Sequence, residues 1–213
     1  LDWALAPGES FQSPQVVLAY SEYGLNGLSQ AYHEFVNQYL IPRRFRGVER
    51  PILINNWEAT YFDFTGEKIF DIAKKASSLG IEMLVLDDGW FGQRDDDCGG
   101  LGDWHVNEKK LGCTLKELVD KINGLGMKFG IWFEPEMINE KSNLYQLHPD
   151  WMVRVPGRKG TKAREQYVLD YTRKDVVDGI EKMMRSIIDS ANIEYIKWDM
   201  NRSLAAVYSA QLS

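Results

Sequence analysis

The sequence predicts an α/β protein: the first half of a (β/α)8 TIM barrel, preceded by the end of a β domain and a helical linker. Three observations predict it. From residue 51 onward, near-continuous apolar segments alternate with amphipathic ones, the pattern of a parallel sheet covered by helices. Helix-to-strand connections are short, as at Gly80-Ile81-Glu82 and Gly124-Leu125-Gly126, whereas strand-to-helix loops are long, notably 88–113 and 134–172. Long loops at the carboxyl ends of parallel strands are where (β/α)8 barrels build their sites. Finally, neither G-x-G-x-x-G nor G-x-x-x-x-G-K-[ST] occurs, which argues against a doubly wound nucleotide-binding sheet.

Residues 1–24 contain Pro7-Gly8, Ser13-Pro14 and the apolar run Val16-Val17-Leu18-Ala19-Tyr20, a strand with turns. Residues 25–50 form the linker. Within it Leu28, Tyr32, Phe35, Val36, Tyr39 and Leu40 recur near helical spacing until Pro42 stops the pattern. The basic cluster Arg43-Arg44-Phe45-Arg46 leads to Pro51, where the third region, 51–213, begins. The first residue is Leu1 rather than Met, which suggests a piece of something longer.

In 51–213 the first buried strand is Ile52 to Trp57, followed by a helix over 66–79 with Ile69, Ala73, Ala76 and Leu79 on its inner face. The second strand, Met83 to Asp87, runs into Asp88-Gly89-Trp90. Its helix opens on Thr114-Leu115-Lys116-Glu117, a capping box, and buries Leu115, Leu118, Val119, Ile122 and Leu125. The third strand is Lys128 to Phe133. After a long excursion Thr172 caps a helix over 173–190, with Val176, Ile180, Met183, Met184 and Ile187 buried. The fourth buried strand contains Tyr195, Ile196, Lys197 and Trp198. The run Tyr167 to Tyr171 belongs to the third excursion, since no helix of its own separates it from the preceding loop.

Composition narrows the function. A net charge of −6 argues against nucleic acid or an anionic membrane as partner, and no apolar run reaches transmembrane length. Cys98 and Cys113 lack metal-ligand spacing, so a reduced, cytoplasmic protein is the default reading, with one surface disulfide left open. The three histidines lie far apart without H-E-x-x-H. Asp95-Asp96-Asp97, among Gln93, Arg94 and two glycines, reads as a solvated loop rather than a cation site. No metal and no cofactor is expected.

Every strand end carries groups that a core avoids. Asn55, Asn56, Trp57 and Glu58 stand at the end of the first; Asp87, Asp88 and Trp90 at that of the second; Trp132, Glu134 and Glu136 at that of the third; Lys197, Asp199 and Asn201 at that of the fourth. The last three alternate with period two, so on an extended strand they share one face. If the strands are parallel neighbours, the four sets meet on one rim. Carboxylates beside indole planes suit a carbohydrate, and glycoside hydrolysis needs two carboxyl groups.

Ile54-Asn55-Asn56-Trp57-Glu58-Ala59, Leu86 to Phe91, Gly102-Asp103-Trp104, Trp132 to Met137 and Lys197 to Arg202 resemble, in order, the bacterial α-galactosidases of glycoside hydrolase family 36. The resemblance implies the tail of an N-terminal β-sandwich over 1–24, a helical linker, and a (β/α)8 catalytic domain that hydrolyses terminal α-galactosides, melibiose and raffinose-type sugars among them, with retention. It implies that Asp199 is the nucleophile, that Asp87, Asp88, Lys197, Asn201 and Arg164 bind the sugar, and that Trp57 and Trp132 line the pocket. It also implies a homo-oligomer. Lys197, two residues from Asp199, is expected to favour the ionised nucleophile. The family's acid/base aspartate lies well beyond the nucleophile, and no Asp or Glu of this chain takes that role by resemblance; Glu134 and Asp103 are the first alternatives. Two other readings stay open: a non-catalytic galactoside-binding or assembly fragment, and a preference for N-acetylgalactosamine.

Overall fold

The computed structural model describes residues 4–205 and 207–209. The chain divides into two compact units, residues 1–50 and 51–213.

In the first unit, helix α1 (Gly24–Phe35) widens into a π-helical turn over Val36–Leu40. The amide of Ile41 bonds back to the Val36 carbonyl, and Pro42, which has no N–H, lets the helix go no further. The strand expected over Val16 to Tyr20 is not formed. Val16, Leu18 and Tyr20 lie exposed, and no described residue pairs with them as a sheet neighbour; an extended segment becomes a strand only through such pairing.

The second unit holds β1 (Leu53–Asn55), β2 (Met83–Leu86), β3 (Lys128–Phe133), β4 (Met137–Asn139), β5 (Gln166–Val168) and β6 (Tyr195–Trp198). Strands β1, β2, β3 and β6 form one parallel sheet in that order, and β4 pairs antiparallel with β5 apart from it. The helices are α2 (Trp57–Thr60), α3 (Gly66–Ser78), α4 (Glu108–Leu111), α5 (Leu115–Asn123), α6 (Asn143–Leu147) and α7 (Lys174–Ile188). Crossovers carrying α3, α5 and α7 join successive strands of the sheet, and α3 packs against α5. The run around Tyr167 thus belongs to a small ribbon inside the third excursion, not to the parallel sheet.

Local chemistry accounts for the helices. Thr65 caps α3 by accepting from the Lys68 amide, and Thr114 with Glu117 closes the capping box of α5. Ile69, Ala73 and Ala76 face the core from α3; Leu115, Leu118, Val119 and Ile122 do so from α5. Two expectations fail at helix ends. Leu79 is 81% exposed, because α3 stops at Ser78 and Gly80, at φ +83°, turns the chain away. Thr172 does not cap α7; Arg173 holds the cap position and the Thr172 hydroxyl bonds Asp170 instead.

The centre of the sheet is buried and its flanks are not. All of β2 and all of β3 beyond Lys128 are buried, whereas Leu53, Tyr195, Ile196 and Trp198 are exposed. The outer strands β1 and β6 were expected to be buried; each has one sheet neighbour, so half of its surroundings is missing among the described residues. Between β2 and β6, Gly130 is a packing requirement. A Cβ there would stand 2.9 Å from the Tyr195 ring and 3.1 Å from a Val85 methyl. Gly130→Ala should therefore cost about 1–3 kcal/mol of stability through overpacking, read as a lower urea midpoint. An unchanged midpoint would mean that the β3–β6 contact yields freely.

Candidate active site

The sheet register builds the site. Leu86 pairs with Ile131, and Trp132 with Lys197, so the next step up the sheet sets Asp87, Trp132 and Lys197 in one row. Phe133 pairs with Trp198, which sets Glu134 and Asp199 two residues further along the same face. These side chains open into a cavity of about 230 Å³, lined also by Trp57, Asp88, Arg94, Asp97, Arg164, Gln166 and Asn201. The residues that the resemblance nominates as nucleophile, sugar ligands or pocket wall therefore line one pocket: Trp57, Asp87, Asp88, Trp132, Arg164, Lys197, Asp199 and Asn201.

Asp199 is held from three sides. Its Oδ2 accepts from Trp132 Nε1 at 3.0 Å and from Asn201 Nδ2 at 2.8 Å, and its Oδ1 from the Met200 amide at 2.9 Å. Partial burial pushes its carboxyl up, but the donors outweigh it and hold the group below the usual aspartate value of 3.8. Lys197 contributes least among these causes. Its charge does favour the ionised form, as expected, though its own partner is Asp87, whose Oδ2 accepts from Lys197 Nζ at 2.6 Å. The same oxygen accepts from Asn55 Nδ2 at 2.5 Å, while the Asp87 amide donates to Asn56 Oδ1. The paired asparagines at the end of β1 thus fix the aspartate after β2.

Asp88 is gripped by a residue that the sequence concealed. Arg94 donates from Nε to both Asp88 oxygens and from Nη2 to Oδ2 at 2.8 Å; its Nη1 reaches the Gly99 carbonyl and Asn139 Oδ1. Arg94 is 1% exposed, although Asp95, Asp96 and Asp97 beside it are solvated as expected. Only the fold of the 94–101 loop tells this arginine from its neighbours. Burial pushes the Asp88 carboxyl up, against the pull of Arg94.

Asn139 on β4 extends the network, donating from Nδ2 to the Glu165 carbonyl at 2.7 Å. That bond steadies a two-residue turn in which Ala163 and Gln166 exchange backbone hydrogen bonds. Arg164 and Glu165 occupy its tip at φ +49° and +59°, a type I′ geometry that favours Asn or Gly. The turn presents Arg164 to the pocket, with Nη1 3.3 Å from the Asn201 carbonyl.

The two tryptophans differ in role. Trp132 is 1% exposed and lies parallel to Phe91 at 6.0 Å, so its N–H, not its face, serves the pocket. Trp57 is half-buried, edge-on to Tyr61 and Phe62, and offers the aromatic surface. Asp103 is no part of the pocket. It accepts the amides of Asn143 and Leu144 at the start of α6. Both cysteines are free thiols, and the described residues contain no cluster of three His, Cys, Asp or Glu side chains able to hold a metal.

Comparison with known proteins gives a consistent set. The melibiase family model matches residues 10–213. The α-galactosidase AgaA of Geobacillus stearothermophilus is 55% identical over 210 residues, covering 99% of this chain and 29% of AgaA. The bifunctional α-galactosidase/sucrose kinase AgaSK of Mediterraneibacter gnavus is 53% identical over 211 residues, 99% of this chain and 23% of that protein. The crystal structure of AgaA superposes with a TM-score of 0.95, again over 99% of this chain and 29% of its own. Variants of AgaA have been solved with stachyose and with raffinose. The chain spans less than a third of the length of these relatives.

The Arg94–Asp88 pair makes a direct prediction. Arg94→Met strands a buried carboxylate and should cost about 3–5 kcal/mol, whereas the double variant Arg94→Met/Asp88→Asn should cost clearly less. Denaturant unfolding of both decides it; equal losses would show that Arg94 matters for its packing rather than its charge.

Proposed function

Because this chain belongs to the melibiase family, we propose that its pocket binds the terminal galactose of an α-galactoside and that Asp199 attacks the anomeric carbon. The observation that carries this is Asp199 itself, ionised, held by three N–H donors and facing a pocket sized for one sugar ring. In the proposed step a carboxylate oxygen of Asp199 forms a bond to the anomeric carbon as the bond to the aglycone oxygen breaks. Water then cleaves the galactosyl ester with net retention. Lys197, Asn201 and Arg164 offer donors to sugar hydroxyls, Asp87 and Asp88 offer acceptors, and Trp57 offers a face to the apolar side of the ring.

The same reading takes the four-stranded sheet as an arc of a (β/α)8 barrel. Parallel strands in sequential order, with the pocket at their carboxyl ends, support it. It takes residues 1–24 as the tail of a preceding β-sandwich domain, and two free thiols suit a reducing cytoplasm.

The leaving oxygen needs a proton, and the pocket's buried carboxylates are engaged otherwise. Asp87 accepts from Lys197 and Asn55, Asp88 from Arg94, and Glu134 from Asn201 and Gln166. The 213-residue chain by itself is therefore expected to turn over melibiose no faster than background. A nitrophenyl α-galactoside, whose leaving group needs no proton, can still label Asp199. Melibiose hydrolysis by the purified segment would mean that one of these carboxyls doubles as the acid.

Two substitutions in the full-length chain test the nucleophile. Asp199→Asn keeps the shape but not the nucleophilicity, so kcat should fall by about a thousandfold or more with the fold intact. Trp132→Phe removes a donor that favours ionised Asp199. Its pKa should rise, and the acid limb of kcat/KM should move to higher pH. A limb that stays in place would take Trp132 out of that role.

A further inference from the structure

Asp199 depends on Asn201, and nothing in the sheet holds Asn201. The residue lies past the end of β6 in a stretch without regular structure. Its amide nonetheless donates to Glu134 Oε1 at 2.6 Å, while its side chain reaches back to Asp199 Oδ2. Glu134 sits at the end of β3 and is 0% exposed. Its other oxygen accepts from Gln166 Nε2 at 3.1 Å, and Gln166 on β5 is 2% exposed. One carboxylate therefore ties together β3, β5 and the segment after β6.

A buried charge is a costly way to satisfy one backbone amide. A carbonyl or a neutral amide would do so without desolvating an ion. Here the cost is compounded, because Glu134 lies close enough to Asp199 and Asp88 for their charges to disfavour its own. What the charge adds is strength and direction, since an ionised acceptor makes a shorter and stronger bond than a neutral one.

We propose that Glu134 is a positioning residue for Asp199, acting through Asn201: it clamps the Asn201 amide and so aims the Asn201 side chain at Asp199 Oδ2. The inference rests on the reading of Asp199 as the nucleophile given above. It distinguishes Glu134 from a general acid, because both its oxygens already serve as acceptors. Gln166 shares the task by holding the far oxygen.

The test is a double-mutant cycle in the full-length chain, with Glu134→Gln, Asn201→Ala and the pair, assayed on 4-nitrophenyl α-galactoside. Glu134→Gln should lower kcat about ten- to a hundredfold and raise KM by a smaller factor, since Asn201 loses its aim at Asp199 while the other sugar-facing donors stay in place. In the Asn201→Ala background the same substitution should lower kcat less than about threefold, because the side chain through which it acts is gone. Hydrogen exchange at the Asn201 amide should speed up about tenfold or more in Glu134→Gln. Full additivity, or an unchanged kcat in Glu134→Gln while Asp199→Asn is inactive, overturns the proposal and leaves the galactosidase reading standing. If the unmodified full-length chain proves inactive, that reading falls instead, and Asn201 exchange alone decides whether Glu134 is the clamp: unchanged exchange overturns it.

Discussion

Four carboxylates stand at the carboxyl ends of one small sheet, and their mutual repulsion is the constraint to which the surrounding structure answers. Asp87, Asp88, Glu134 and Asp199 all line the same pocket, and three of them are almost wholly removed from solvent. Each is matched to a different partner. Lys197 meets Asp87, Arg94 meets Asp88, the Asn201 amide and Gln166 meet Glu134, and Trp132 with Asn201 meets Asp199. Only two of these partners are cations. With Asp97 and Arg164 included, five carboxylates and three cations line the pocket, a surplus of negative charge compensated by neutral N–H donors, which suits a ligand rich in hydroxyl groups better than an anion.

Beneath the polar layer lies an aromatic one. Trp90, Phe91, Trp104, Trp132 and Phe133 pack with ring centres 4.4–6.2 Å apart, and the Trp90 N–H bonds the Trp132 carbonyl. This layer fixes the indole that donates to Asp199 and excludes water from below. Charges and dipoles above such a floor are screened less than in solvent, so each hydrogen bond to a carboxylate carries more weight. The 88–113 loop supplies three of the five rings and Arg94 as well, so its length serves both to seal the site and to wire it.

Much of this was legible in the chain. Helical spacing and the Thr114–Glu117 cap located α5, and period-two alternation placed Lys197, Asp199 and Asn201 on one face. Strand ends bearing carboxylates mark the rim. What the sequence does not disclose depends on partners remote in it. Arg94 reads as one more charge in a solvated loop: its ion-pair partner Asp88 is only six residues away, but the loop that buries the pair is pinned by Asn139, 45 residues away. The pairing of Lys197 with Asp87 spans 110 residues, and sequence proximity discloses only the charge that Lys197 lends to Asp199. The outer strands read as buried because apolar composition does not reveal which strand has a neighbour on both sides.

The turn at Ala163–Gln166 has a consequence of its own. Left-handed backbone costs a residue with a Cβ about 1–2 kcal/mol, and here two such residues, Arg164 and Glu165, sit side by side. Glycine would relax the turn but would remove the guanidinium from the pocket. The segment is thus held in a less stable form than its backbone prefers. A backbone that favours glycine thus carries, at this one corner, a side chain that reaches from the ribbon into the pocket wall.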